Sequence, residues 1–293
     1  MNLSINESKD RFHRYWTTFR TAGWLGWQIE SNWTDLFLFA IYSIIKPISG
    51  AAILIVMYSI VSNADFSSPM FAYIYLGNAF YILVGGVVQG VSWGVLDDRE
   101  HYRTLKYLYI APISVPVYLM GRSLANFLTR TLSVIITLLF GVIFFKLPLR
   151  LADVDWGLLI LACILGFIVM VDMGLILGGW SLIIKRNAWN LGDTVGAAMF
   201  IFSGALFPLS VLPQALQVIG YIIPISYWLT LVRRAMMPAN AATFPMFSTW
   251  SNARLLSILG IAAIVFTIIA IISFRAFDHI ARERGNIDMV SNY

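Results

Sequence analysis

The sequence has 293 residues, of which 59% are hydrophobic and 12% charged, and its mean hydropathy is +0.77. A soluble domain of this length cannot bury so much apolar surface, so the composition excludes a soluble globular protein and predicts a polytopic membrane protein. The net charge of +5 follows from lysine and arginine placed around membrane spans, so no nucleic acid partner is expected.

The first 35 residues are distinct from the rest, with charged and aromatic residues throughout. They contain no apolar core followed by a small-residue cleavage site, so we expect no cleavable signal peptide. Phe12, Trp16, Phe19, Gly23 and Trp27 recur at spacings of three or four. This pattern predicts an amphipathic helix in the membrane interface. A second interpretation is that part of this helix also touches a cytoplasmic partner.

Six apolar runs predict transmembrane helices. A helix needs roughly 20 residues to cross a hydrocarbon core about 30 Å thick. The runs lie at 36–62, 71–96, 123–145, 156–184, 191–207 and 255–274. We therefore expect an all-α protein with six spans.

A seventh apolar run, 211–232, is interrupted by Pro213, Gly220 and Pro224. Proline removes a backbone donor and kinks a helix, so a simple seventh span is not expected. The run instead predicts re-entrant or interfacial external helices at about 210–234, between spans five and six.

Lysine and arginine predict the orientation of the spans. With the N-terminus inside, 13 of the 20 fall in cytoplasmic parts and 5 in outer parts, and the other two, Lys46 and Arg130, lie within spans. This bias places both termini in the cytoplasm. A full crossing by the seventh run would move Arg282 and Arg284 outside, which argues against seven spans.

The sequence predicts no enzyme. It has no G-x-x-x-x-G-K-[ST] phosphate-binding loop, and no lysine is followed by Ser or Thr. Cys163 is the single cysteine and the three histidines lie far apart, so neither a disulfide nor a metal site is expected. We expect no cofactor on this chain.

The loop at 97–122 carries the most specific pattern. Arg99, Arg103 and Lys106 mark it as cytoplasmic, and its leucines give it more apolar surface than a solvated loop needs. An alternative is a solvated loop whose basic residues only fix topology. The order E-x-x-x-T-L-x-x-L-x-x-x-P-x-S before Gly-Arg resembles the cytoplasmic loop of ABC-2 type transporter permeases. It is formed by Glu100, Thr104, Leu105, Leu108, Pro112, Ser114, Gly121 and Arg122.

A second resemblance to the same family lies downstream. Pro208, Pro213, Pro224 and Arg233 follow an order that resembles the fifth span and the external re-entrant helices of these permeases. The resemblance implies an interfacial segment at 1–35, a transmembrane domain at 36–275 and a cytoplasmic tail at 276–293. It also implies the inner membrane of a prokaryotic cell.

The resemblance implies partners. A coupling helix at about 97–112 would sit in a groove of a separate ATP-binding subunit, which carries the ATP and Mg. A second permease copy would complete a homodimer surrounded by membrane lipids. In the family the position of Arg103 is usually glycine. The residues implied in the ATPase contact are Arg99, Glu100, Arg103, Thr104, Leu105, Tyr107 and Pro112, with Lys185 and Arg186 as a second cytoplasmic contact.

Three ionisable residues fall inside predicted spans: Lys46, Arg130 and Asp172. A charge at the bilayer centre costs about 2.5 to 3.5 kcal/mol on insertion scales, so such residues need a reason. Lys46 and Arg130 are competing partners for Asp172. The functional interpretation is a polar contact to substrate or a gate. The alternative is a pair that fixes helix packing, or a basic side chain that reaches the interface.

The cargo is inferred from the sparse charge of the spans. A mostly apolar and aromatic pathway favours export of an amphipathic drug or lipid, because polyanionic glycans favour a more basic route. Lipid-linked polysaccharide or glycan export is the second hypothesis and sodium extrusion the third. A secondary transporter that needs no ATPase is the alternative from another class.

Overall fold

The computed structural model describes residues 2–32, 36–63, 65–184 and 188–286. These ranges contain α-helices with short π and 3-10 turns and no β-strand. Lys185 and Arg186 lie outside the described residues. The α-helices are α1 (Asn2–Asn32), α2 (Leu36–Ser62), α3 (Pro69–Leu96), α4 (Leu105–Ile110), α5 (Val115–Phe145), α6 (Trp156–Ile183), α7 (Ala188–Phe202), α8 (Gln214–Ile222), α9 (Pro224–Met236) and α10 (Asn252–Glu283).

Five of the described helices are long and apolar enough to cross a membrane: α2, α3, α5, α6 and α10. They coincide with five of the six predicted runs, although α5 begins at Val115 and α10 continues to Glu283. These extensions are charged or amphipathic, so hydropathy alone does not reveal them. The protein is therefore an all-helical, multi-pass membrane protein.

The fifth predicted span is shorter than expected. Helix α7 has 15 residues, about 22 Å at 1.5 Å per residue, and ends at Phe202. Beyond Ser203 the chain turns at Gly204, whose φ of +71° ends the helical path. The prediction of one helix over 191–207 was therefore wrong in its last five residues.

The interrupted run folds as two short helices. Helices α8 and α9 meet at an angle of 78°, and counting the pair as one span would give a sixth crossing. Pro213 immediately precedes α8 and Pro224 is the first residue of α9. Proline is tolerated there because the first helical N–H groups have no partner in any case. The predicted break at these prolines is confirmed.

Helix α3 lies at the centre of the bundle and packs against α5, α6, α7 and α9. Its close contact with α6 depends on Gly174, where a Cβ atom would lie 2.8 Å from Val91. Gly166 of α6 likewise leaves room for the buried indole of Trp228. Small residues thus let these helices approach each other closely.

Helix α1 packs along α5. Its buried Ala22 and Gly26 lie against the start of α5, where a Cβ on Gly121 would meet the Ala22 side chain at 2.7 Å. The aromatic side chains of Phe12 and Trp16 are 72% and 56% exposed. A helix is therefore present where the amphipathic one was predicted, and these two aromatic side chains are exposed on it. Its position in the membrane interface stays a prediction.

Candidate functional site

The segment between α3 and α5 has three parts. Helix α3 continues into a π-helical turn, Asp97–His101, and the chain reverses at Arg103, whose φ is +52°. Helix α4 follows and stops at Ile110, because Pro112 disfavours helical geometry at Ala111, which is extended with ψ of 148°.

The buried side of this segment is held by ion pairs and hydrogen bonds. Asp98 pairs with Arg122 at 2.8 Å. Arg99 pairs with Glu100, and its Nη1 donates to the carbonyl of Ser181, the last turn of α6, at 3.1 Å. Buried charges need such partners, since removing one partner leaves an uncompensated charge.

Three of the residues predicted to contact the ATPase lie on the buried side of the segment. Arg99 is 5% exposed, Leu105 is 2% exposed, and Glu100 accepts a hydrogen bond from Trp189 Nε1 of α7 at 3.3 Å. The π-helical turn directs Arg99 and Glu100 toward the ends of α6 and α7, and Leu105 is buried in the first turn of α4. Their role is to position the segment, so the expectation that they touch a partner directly needs correction.

The opposite side of the segment is exposed. We call it the α4 surface, and it includes two predicted contact residues, Arg103 and the 62% exposed Tyr107. Pro112 is exposed at its edge, and Thr104 is half-buried with its hydroxyl donating to Asp98. Tyr102, Lys106 and Ile110 were missed, although the spacing of four between Lys106 and Ile110 along α4 is a usable signal. The α4 surface comprises Tyr102, Arg103, Lys106, Tyr107 and Ile110.

Helix α10 also holds α4. The Tyr109 hydroxyl donates to Asp278, and the Arg282 guanidinium lies 4.5 Å from the Tyr109 ring centre and 3.0 Å from Asp278. Burial raises the pKa of Tyr109, and the neighbouring Asp278 raises it further, so the phenol remains a donor. The sequence contains no local pattern that reveals this contact, because 169 residues separate Tyr109 and Asp278.

Replacing Tyr109 with Phe tests this anchor. The hydrogen bond to a carboxylate is lost while the ring beside Arg282 remains, so we expect a loss of roughly 1.5 to 3 kcal/mol in unfolding free energy. Thermal unfolding of the purified protein measures it. Tyr107→Phe is the matched control, since Tyr107 is exposed and should unfold at the wild-type temperature.

Substitutions of Arg103, where the chain reverses, are expected to change the stability of the protein. A non-glycine residue with positive φ costs about 1 to 2 kcal/mol, and a β-branched residue tolerates it worst. We expect Arg103→Val to lower the unfolding temperature and Arg103→Gly to keep or raise it. Equal melting temperatures for the two variants would show that the backbone at Arg103 imposes no such demand.

A cavity of about 850 Å³ lies between α1, α2, α3, α5 and α7. Lys46 and Arg130 line it, and the aliphatic stem of Arg130 packs so closely on Gly86 that a Cβ there would lie 2.3 Å from Arg130 Cγ. Its other polar lining residues include amides, hydroxyls, carboxylates and one guanidinium: Asn78, Gln89, Asn126, Thr129, Ser133, Glu30, Asp97, Asp193 and Arg122.

Asp172 does not belong to this cavity. It is buried in α6 and accepts a hydrogen bond from the Thr267 hydroxyl of α10 at 2.6 Å. The expectation that Asp172 meets Lys46 or Arg130 is wrong, because this part of α6 faces α10 whereas both cations lie on the far side of α3.

Arg233 forms a buried cluster at the other end of the bundle. Its Nε donates to the Tyr73 carbonyl at 2.9 Å, and its Nη2 donates to the carbonyls of Gly204 and Ala205 at 2.8 and 3.0 Å. The guanidinium also lies 3.7 Å from the Tyr73 ring centre. Arg233 thus ties α9 to α3 and to the turn after α7. Pro208 begins the short 3-10 turn that follows.

One serine motif has no catalytic surroundings. Gly90 to Gly94 fits the G-x-S-x-G pattern, whose chemistry requires a serine on a sharp turn after a strand. Ser92 instead lies within helix α3, fully buried, and its hydroxyl is 2.9 Å from that of Ser181. The described residues also contain no cluster of His, Cys, Asp or Glu suited to a metal ion.

A protein-family model matches most of the chain. The model of a family described as "ABC-2 family transporter protein" matches residues 56–272, from the second half of α2 to near the end of α10. This range contains the α4 surface, Arg130 and the Arg233 cluster, whereas α1 and Lys46 precede it. No curated protein matches the chain.

Proposed function

The chain belongs to the ABC-2 family of transporter proteins, and we propose that it is the permease subunit of an exporter driven by ATP hydrolysis on a separate nucleotide-binding subunit. ATP and Mg would bind to that partner. The absence of a phosphate-binding loop in the sequence supports this division of labour. The proposed cargo is an amphipathic drug or lipid-like molecule moved outward.

The α4 surface carries this proposal. It presents two basic and two tyrosine side chains, and Tyr and Arg are the residue types that most often dominate binding energy at protein interfaces. The buried side of the same segment contacts α5, α6, α7 and α10. A partner that moves α4 would therefore act on four helices at once, which is what transmission of ATP-driven closure requires.

The topology is proposed on the same basis. An ATPase on the cytoplasmic side places α4 there, together with both termini, and places the α8 and α9 pair outside as re-entrant helices. The short α7 then serves as the fifth of six spans. We assign the protein to the inner membrane of a prokaryote, with two copies forming a homodimer because a six-span chain supplies half of a pathway.

The direct test is co-expression with an ATP-binding subunit encoded beside this chain. We expect the two to co-purify and ATP hydrolysis in lipid to increase with a transported amphiphile. A panel that includes a lipid-linked glycan and sodium tests the alternative cargoes. Substrate movement by the purified chain under an ion gradient, without any ATPase, would instead identify a secondary transporter and refute the proposal.

A further inference from the structure

Helix α3 provides a depth scale for the cavity. Its span, Pro69–His101, has its midpoint near Gly85 and Gly86. Arg130 packs directly on Gly86, so it lies at the middle of this span.

Lys46 lies at nearly the same depth. The rings of Tyr58 on α2 and Phe71 on α3 are 5.2 Å apart, and the two helices run in opposite directions through a short connection. Counting 12 residues back from Tyr58 reaches Lys46, and counting 12 forward from Phe71 reaches Leu83. Leu83 is three residues from Gly86, or about 4.5 Å along the helix.

The described residues neutralise neither cation. Among the described residues, Lys46 and Arg130 form no ion pair, and the Nε atom of Arg130 is buried without a hydrogen-bond partner. The remaining charge near this depth, Asp172, faces α10 and lies outside the cavity. Two positive charges thus share the middle of the cavity without a counter-ion from these residues.

The carboxylates of Asp97 and Asp193 lie nearer the α4 end of the cavity. Asp97 is 11 residues beyond Gly86, about 16 Å along α3. Asp193 follows Gly192, which packs against Trp93, so it also lies toward that end. An anion is repelled at the carboxylate end and attracted at the middle, so the electrostatics define one position for it.

We propose that the cavity binds an amphiphile through an anionic head group, a phosphate or a carboxylate, held between Lys46 and Arg130. The amides of Asn78 and Asn126 line the same space and provide further donors. The head group of the ligand supplies the negative counter-charge that the described residues do not provide to either cation. Its apolar part contacts lining residues such as Ile82 and Phe200. This inference rests on the proposed export function and specifies its substrate class.

The test uses the full-length protein in phosphatidylcholine nanodiscs and three fluorescent probes. These are a labelled phosphatidic acid, a soluble pyrene carboxylate and the cation rhodamine 6G. We expect both anionic probes to bind more tightly than rhodamine. The Lys46→Met and Arg130→Met double variant should bind the anions about tenfold or more weakly, since each lost contact is a charge-assisted one. Rhodamine binding should stay unchanged.

Two controls separate charge from folding. The Lys46→Arg and Arg130→Lys double variant keeps both charges and should keep anion binding, while Arg150→Met removes an exposed charge outside the cavity and should change nothing. Binding of phosphatidic acid alone identifies a lipid phosphate, and binding of the pyrene carboxylate alone identifies a soluble amphiphile. Both results support the proposal.

Two outcomes would overturn the proposal. One is unchanged anion affinity in the methionine double variant, and the other is a preference of the wild-type protein for rhodamine. Because no ATP or ATPase is present, such a failure concerns the substrate class alone. Failure of co-purification with an ATP-binding subunit would instead concern the transporter assignment.

Discussion

Replacing Arg103 with Glu and Tyr107 with Ala together is expected to abolish substrate-stimulated ATP hydrolysis by the assembled exporter while leaving this chain folded. Both side chains project from the α4 surface. Interface tyrosines and arginines often contribute 2 kcal/mol or more each, so the partner's affinity should fall more than tenfold. Hydrolysis by the reconstituted complex and affinity for the ATPase subunit measure the effect.

A matched control lies at the other end of the bundle. Arg150→Glu with Leu151→Ala also removes an exposed basic and an exposed apolar side chain, since Leu151 is 68% exposed. We expect this variant to retain wild-type stimulation. Unchanged stimulation in the Arg103 and Tyr107 variant, or an equal loss in the control, would refute the assignment of the α4 surface.

Replacing Arg99 with Met is expected to destabilise the protein strongly. The change removes the donor to the Ser181 carbonyl and the ion-pair partner of Glu100, both in a buried region. Breaking a buried pair by removing one partner typically costs 3 to 5 kcal/mol, so expression and the thermal unfolding temperature should both fall.

Arg103→Met is the matched control for this prediction. It removes the same type of side chain from the same segment, but from an exposed position, and exposed substitutions usually change stability by about 0.5 kcal/mol or less. If the two variants unfold at the same temperature, Arg99 does not anchor the segment, and a direct partner contact for Arg99 becomes the better interpretation.

Local sequence signals were sufficient to predict most of the helices. Apolar runs locate α2, α3, α5, α6 and α10 because each span must be long and apolar by itself. Pro112, Pro213 and Pro224 predict helix boundaries because proline acts on its immediate neighbours. These are the features that do not depend on distant parts of the chain.

Side-chain partners could not be predicted in the same way. In the sequence, Arg99 looks like a solvated basic residue that fixes the topology of the spans. The π-helical turn directs its side chain toward Ser181 instead. Arg233 was predicted as part of the re-entrant motif, and its buried contact with the Tyr73 carbonyl joins residues 160 positions apart. Such contacts depend on which helix faces pack together, and a single sequence does not contain that information in local form.

The charged residues within the predicted spans show both what a local sequence signal reveals and what it does not. The cost of a charge in a bilayer singled out Lys46, Arg130 and Asp172 as residues that need an explanation. Their depth along each helix suggested that a cation and Asp172 meet. Two side chains at one depth meet only if they also lie on helix faces that point toward each other. Asp172 faces Thr267, and the two cations face a cavity.

We expect this chain to move substrate only when a partner subunit hydrolyses ATP. The most direct test reconstitutes the chain and its ATP-binding subunit in liposomes and follows a fluorescent anionic amphiphile across the membrane. We predict movement that requires ATP and both proteins, and that stops with the Arg103→Glu and Tyr107→Ala variant. Equal movement without ATP, or by the chain alone under an ion gradient, would show that transport does not depend on an ATPase partner.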